Sequence, residues 1–174
     1  MDWCVLSLDV SAASTGWAIM GSKVGDYGMI KTSPKLNRSE RLLLFKNELV
    51  SLIIMYKPTS IVIEDTFSGL NPKTLKILSE FAGVAKEVCQ EFARVDPYVI
   101  STNTVKAYFK TKTKEDMFHM VVEILDFDTN KWTFNKDNDI IDAIAMAMCY
   151  TDSVLKVKKF KEEKEYGFLY NNNW

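Results

Sequence analysis

Two short apolar runs, residues 4–10 (CVLSLDV) and 60–64 (SIVIE), carry a carboxylate at or next to their ends: Asp9 in the first, Glu64 in the second. Apolar runs of this length, without polar alternation, read as strands buried on both faces. A sheet built around them needs helices on both sides. The rest of the chain supplies these in a suitable order. Residues 15–20 read as a second strand, 27–31 as a third after the turn GSKVGDYG, and 98–101 as a fifth. Helical periodicity predicts 39–56, with Ser39 as N-cap and Pro58 stopping it, then 72–94, where Pro72 suits a first turn. Further helices are predicted over 104–109, 114–125 and 138–155. The expected fold class is α/β, a five-stranded mixed sheet flanked by helices.

Neighbouring parallel strands would bring Asp9 and Glu64 together at the carboxyl edge of the sheet, where ligand sites form. Between Asp9 and the next strand lies VSAAS, which leaves space above that carboxylate. A further acidic pair occurs in DNDIIDAIAMAM: Asp139 and Asp142 are three apart and share a helix face. Ala143, Ala145 and Ala147 follow them, small enough to let the helix lie close to a sheet. Four converging carboxylates repel one another and, unless protonated, require a cation. Oxygen donors without paired His or Cys favour Mg²⁺ or Mn²⁺. Two such ions about 4 Å apart can clamp an in-line phosphoryl displacement. Asp9, Glu64, Asp139 and Asp142 are therefore the candidate catalytic and metal-binding residues. Taken singly, each has a plainer reading: a solvated strand end for Asp9 or Glu64, and a cap or dipole partner for Asp139. Asp65 and Asp137 are expected to point elsewhere, Asp137 to a cap.

The 174 residues fit one domain, expected over 1–155, with a charged and then aromatic extension over 156–174. The net charge of -1 announces no polyanion partner, so phosphate contacts need a local patch. Lys106, Lys110, Lys112 and Lys114 provide one within nine residues, although charge alone fits a solvated face equally well. Cys4, Cys89 and Cys149 lack a CxxC spacing and are odd in number, which reads as buried thiols in a reducing compartment. The N-terminus has no basic leader pattern, and no apolar run approaches a membrane span, so a cytoplasmic location is expected. His119, the single histidine, falls on the polar side of its predicted helix and reads as a surface residue.

Four stretches in order, LSLDVSAASTGWAI, IVIEDTF, NTVKAYFKTKTKEDMFHMV and DNDIIDAIAMAM, resemble the motifs of the RuvC family of Holliday-junction resolvases, within the RNase H-like superfamily. The resemblance runs from about residue 5 to 150. It implies an RNase H-like fold and a Mg²⁺-dependent endonuclease, Mn²⁺ substituting, that nicks Holliday junctions and related branched DNA with two metals per site. It implies that Asp9, Glu64, Asp139 and Asp142 hold those metals. The position of Glu64 at a strand end is similar to the resolvases rather than to true ribonucleases H. By the same resemblance Lys106 and Lys114, with Lys110 and Lys112, are expected at the DNA, and Phe67 is expected to wedge at the junction point. Read from its own surroundings, Phe67 also fits a core-capping role. The small, divergent form leans toward a phage member, acting in a bacterial host.

A four-way junction has near two-fold symmetry, so a C2 homodimer with two sites is the expected assembly. On the long helix Leu75, Leu78, Ala82, Ala85 and Phe92 form one apolar stripe, which Ile77, Phe81, Val84 and Val88 widen beyond a single face, so that one side can pack on the sheet and the other on a partner subunit. Three other readings share parts of this pattern. A YqgF-like RNase would act on RNA as a monomer. A non-catalytic branched-DNA-binding module would leave the matched acids without work. An actin-like ATP-binding fold would need a second domain and a glycine cluster that the chain lacks. The segment DFDTNKWTFNKDN, before the last helix, is unusual in its length and aromatics.

Overall fold

The computed structural model describes residues 3–65 and 71–157. Phe67 and the extension beyond residue 157 lie outside them. Val5–Asp9 (β1) is buried at every position, Ser7 and Asp9 included, as a strand covered on both faces requires. It pairs antiparallel with Ser14–Met20 (β2), and β2 pairs antiparallel with Val24–Lys31 (β3). On its other side β1 pairs parallel with Ser60–Glu64 (β4), which pairs parallel with Tyr98–Ile100 (β5). The result is the expected five-stranded mixed sheet, in the order β3-β2-β1-β4-β5.

Alternation along the strands divides the core in two. Leu6, Leu8, Ile61 and Ile63 face Arg38–Tyr56 (α1) and Pro72–Val88 (α2), meeting Phe45, Leu49, Phe81 and Ala85. Val5, Ala18, Met20, Val62 and Ile100 face the opposite layer. That layer is built from Thr102–Phe109 (α3), Lys114–Ile124 (α4) and Phe134–Tyr150 (α5). From Ile140 to Tyr150 α5 is buried throughout, since it lies on the sheet with α4 packed beside it.

Several boundaries differ from the sequence reading. The N-cap of α1 is Asn37, not Ser39: Asn37 accepts from the Glu40 N–H, and Glu40 accepts in return from the Asn37 N–H. This reciprocal box satisfies two backbone donors, which a cap at Ser39 would leave exposed. Regular helix in α2 ends at Val88 and closes through a wider π turn over Cys89–Ala93, with Arg94 left-handed at φ 57°. β3 begins at Val24, ahead of the expected Tyr27, because pairing with β2 carries its glycines into the strand. α5 starts at Phe134, not at residue 138. The Phe134 ring meets Phe118 edge-on at 5.7 Å, and that packing extends the helix through polar residues that look like a loop. A similar π turn over Thr151–Leu155 follows it.

Candidate active site

Asp9 ends β1 on the face that carries Val5 and Ser7, so its side chain points toward α5. Leu8 pairs with Ile63, which sets Glu64 beside Asp9 on the neighbouring strand and the same face. Their carboxyls interact directly. Burial first, and then the Glu64 charge and a hydrogen bond with Glu64, hold Asp9 well above the usual carboxylate range. Asp9 is 7% exposed.

Two contacts bring α5 to this edge. The Ser7 hydroxyl donates to the Ala143 carbonyl at 2.6 Å, fastening the helix to β1. Gly16, paired with Asp9 across the sheet, removes the obstacle on β2. A Cβ there would sit 1.9 Å from the Asp139 carbonyl oxygen. The helix backbone at Asp139 therefore rests on Gly16, and Asp142 is turned inward at 4% exposure. Burial raises the Asp142 carboxyl, Lys114 lowers it, and Glu64 and Asp139 raise it again.

Lys114 opens α4, a position where the helix dipole disfavours a cation. Its ammonium is held there by acids, 2.6 Å from Asp142 Oδ2 and 3.9 Å from Glu64 Oε1. Burial opposes its charge, yet Asp142, Asp9 and Glu64 outweigh that and raise it above the normal lysine value. The Thr102 hydroxyl, at the first residue of α3, donates to Glu64 Oε1. The four predicted acids thus meet at one end of the sheet: Asp9, Glu64 and Asp142 in mutual electrostatic contact, and Asp139 beside them against Gly16. Asp137 turns back to accept from the Thr133 N–H at 2.9 Å, the capping use expected of it.

Among the described residues no group of three or more His, Cys, Asp or Glu side chains is arranged to hold a metal ion. Lys114 supplies the counter-charge instead. The donor chemistry nevertheless fits a hard divalent cation. It is carboxylate oxygen only, and its most buried members carry carboxyls pushed up by burial, a state that a bound cation would relieve.

The predicted lysines divide into two groups. Lys114 lies inside the acidic cluster. Lys106 on α3, Lys110 at its left-handed C-cap (φ 56°) and Lys112 in the following turn have no carboxylate partner among the described residues. Because α3 starts at Thr102, bonded to Glu64, this basic segment leaves directly from the site. His119 is exposed. Ser7, Gly16 and Thr102 were not singled out as site residues from sequence. A serine inside an apolar strand was a signal for the first of them.

The family model for crossover junction endodeoxyribonuclease RuvC matches residues 5–150. A protein of that name from Caldicellulosiruptor saccharolyticus is 34% identical over 155 residues, covering 84% of this chain and 90% of its own. One from Rickettsia akari is 32% identical over 165 residues, covering 88% and 99%. The structure of Thermus thermophilus RuvC in complex with a Holliday junction substrate superposes with a TM-score of 0.77 at 18% identity, over 89% of this chain and 96% of that one. The yeast mitochondrial Holliday junction resolvase superposes with a TM-score of 0.66 at 13% identity, over 93% and 82%.

Proposed function

The chain belongs to the RuvC family, and from that premise we propose that it is a metal-dependent endonuclease that nicks Holliday junctions and related branched DNA as a homodimer. The supporting observation is the convergence of Asp9, Glu64 and Asp142 around Lys114 at the end of the sheet. Acids from two strands and a helix, two of them buried, would not be gathered without a cationic use for them. In this reading the nuclease domain spans 1–155, and 156–174 is an extension.

Asp9, Glu64, Asp139 and Asp142 are the residues that would hold Mg²⁺ or Mn²⁺. Two such ions in a site of this kind supply activation of the attacking water and charge neutralisation at the departing oxygen. The protein's own contribution is position. β1 and β4 fix Asp9 and Glu64 on a rigid edge, Thr102 orients Glu64, and Ser7 with Gly16 sets the height of α5 over the sheet. Lys114 keeps the acids together while no metal is bound, and its charge then faces the phosphate that approaches them. Lys106, Lys110 and Lys112 would extend the positive track along the DNA, and Phe67, three residues after Glu64 in the sequence, is the aromatic this reading assigns to the branch.

The test is one gel. The protein is incubated with a synthetic four-way junction, a fork, linear duplex and single-stranded RNA, each with Mg²⁺ or with EDTA. Paired symmetric nicks on the junction, only with metal, are the expected result. Cleavage of the RNA with the junction left intact would overturn the proposal.

A further inference from the structure

The acidic site leaves one aromatic segment without a use, residues 125–133 between α4 and α5. In the structure it forms a closed turn. The Lys131 and Trp132 N–H groups donate to the Asp128 carbonyl, and the Asn130 N–H donates to Asp128 Oδ1. The turn brings Trp132 flat onto Phe127, with centroids 4.8 Å apart and planes 15° apart. Tyr27, on the outermost strand β3, meets Trp132 edge-on at 5.4 Å and Phe127 at 5.8 Å.

This cluster sits at the start of α5, beside the Phe134–Phe118 contact and the Thr133–Asp137 bond. The N-cap residue Thr133 makes no side-chain capping bond. Further along, Gly16 holds the helix at Asp139 and Ser7 holds it at Ala143. Upstream of Asp139 the first turn is tied to the body by rings: Trp132 and Phe127 against Tyr27, and Phe134 against Phe118. Asp142 is secured by its own neighbours. Asp139 is half-buried and lies two residues beyond that first turn, with Gly16 against its backbone.

We infer that Trp132 is a positioning residue for the acidic cluster, fixing the first turn of α5 against β3 and thereby setting Asp139. The inference rests on the proposed metal-holding role of Asp139. Loss of a supporting contact behind a metal ligand typically weakens metal affinity by about 10–100-fold.

The test is a Mg²⁺ titration of the full-length protein, read as the midpoint of the metal-induced rise in Tm and, in parallel, of junction nicking. Trp132→Ala moves both midpoints to about tenfold higher Mg²⁺. Trp132→Phe, which keeps a ring on Phe127, returns them close to wild type. In an Asp139→Asn background, Trp132→Ala has no further effect on the midpoint, because the residue it positions is already lost. Should Trp132→Ala fail to fold, Tyr27→Leu carries the same test, since it removes the edge-on ring and leaves the turn's own bonds intact. A lowered metal-free Tm with an unchanged Mg²⁺ midpoint overturns the inference and assigns the rings to stability alone. A wild-type protein whose Tm does not respond to Mg²⁺ overturns the metal reading of Asp139, and this inference with it.

Discussion

Asp9 carries a carboxyl that burial, and then the neighbouring Glu64, push well above the ordinary carboxylate range, and Asp142 is pushed the same way by its own burial. Asp9 ends a buried strand and Asp142 lies in the middle of a helix packed on the sheet, and both are buried. Two predictions follow from that confinement. Asp9→Asn should abolish junction cleavage, by roughly a thousandfold or more (about 4 kcal/mol of lost transition-state stabilisation), while a mobility-shift assay still shows junction binding. Loss of binding together with cleavage would make Asp9 structural. The second concerns pH without metal. A native acid whose folded value is raised binds its proton more tightly than the unfolded chain, where the value is about 3.8. Its ionisation then works against folding, so stability falls as pH rises above about 4 through the raised native values. In EDTA, Tm should therefore drop between acid and neutral pH. Mg²⁺ should restore it increasingly as pH rises, and Asp9→Asn should flatten the slope and raise the metal-free Tm at neutral pH. A Tm that climbs over the same interval would contradict the electrostatics. At this scale the convergence of the acids was legible from the four motifs in order, although an acid at a strand end, taken singly, reads as a solvated boundary. Ser7, Gly16 and Thr102 were not, since a small neutral residue reads as filler until its partner across the fold is known. Lys114 was legible as a cation near the site, but its place among the acids was not, because that contact spans 28 residues of sequence.

The elements are held by devices that separate cleanly into structural and functional ones. α5 approaches β2 so closely at Gly16 that even one methyl group meets the Asp139 backbone. Gly16→Ala should therefore push the start of α5 off the sheet, costing about 1–3 kcal/mol of stability and raising the Mg²⁺ needed for cleavage. The capping box of α1 gives the contrast. Asn37→Ala should lower stability by about 1 kcal/mol in a denaturant titration, with the Mg²⁺ dependence of cleavage unchanged. If both variants behaved alike, the close approach at Gly16 would have no special bearing on the acids. Strands β1 and β4 were readable because burial on both faces writes itself as a mostly apolar run without polar alternation. The cap of α1 was misplaced because several polar residues, Asn37 among them, precede the helix and only the reciprocal bond with Glu40 selects between them. The start of α5 was placed too late because Asn and Asp weaken local helix preference, while the contact that overrides it, Phe134 with Phe118, is tertiary.

On the scale of the whole molecule, the proposed function requires a chain of net charge -1 to hold a polyanion with two-fold symmetry. The basic segment of α3 offers three lysines without carboxylate partners, Lys106, Lys110 and Lys112, since Lys114 is engaged with Asp142 and Glu64. Each phosphate neutralised on duplex DNA contributes about -0.9 to the slope of log affinity against log salt. A single protomer using these three side chains should thus show a slope of roughly -3, and a dimer engaging both halves of a junction roughly -5 to -6. The α1–α2 layer leaves an apolar surface for such pairing. Leu75 and Leu78 on α2 are half-buried yet belong to neither core cluster, while Leu43, Ile54 and Phe92 are exposed. Light scattering at micromolar concentration should give twice the monomer mass, and Leu78→Glu should return it to the monomer. The same variant should bring the salt slope down to the single-protomer value and convert paired nicks into unpaired ones, since each acidic cluster is complete within one chain. A wild-type protein that scatters as a monomer with and without junction DNA, and whose slope stays near -3, would leave the acidic site standing but remove the symmetric assembly built around it.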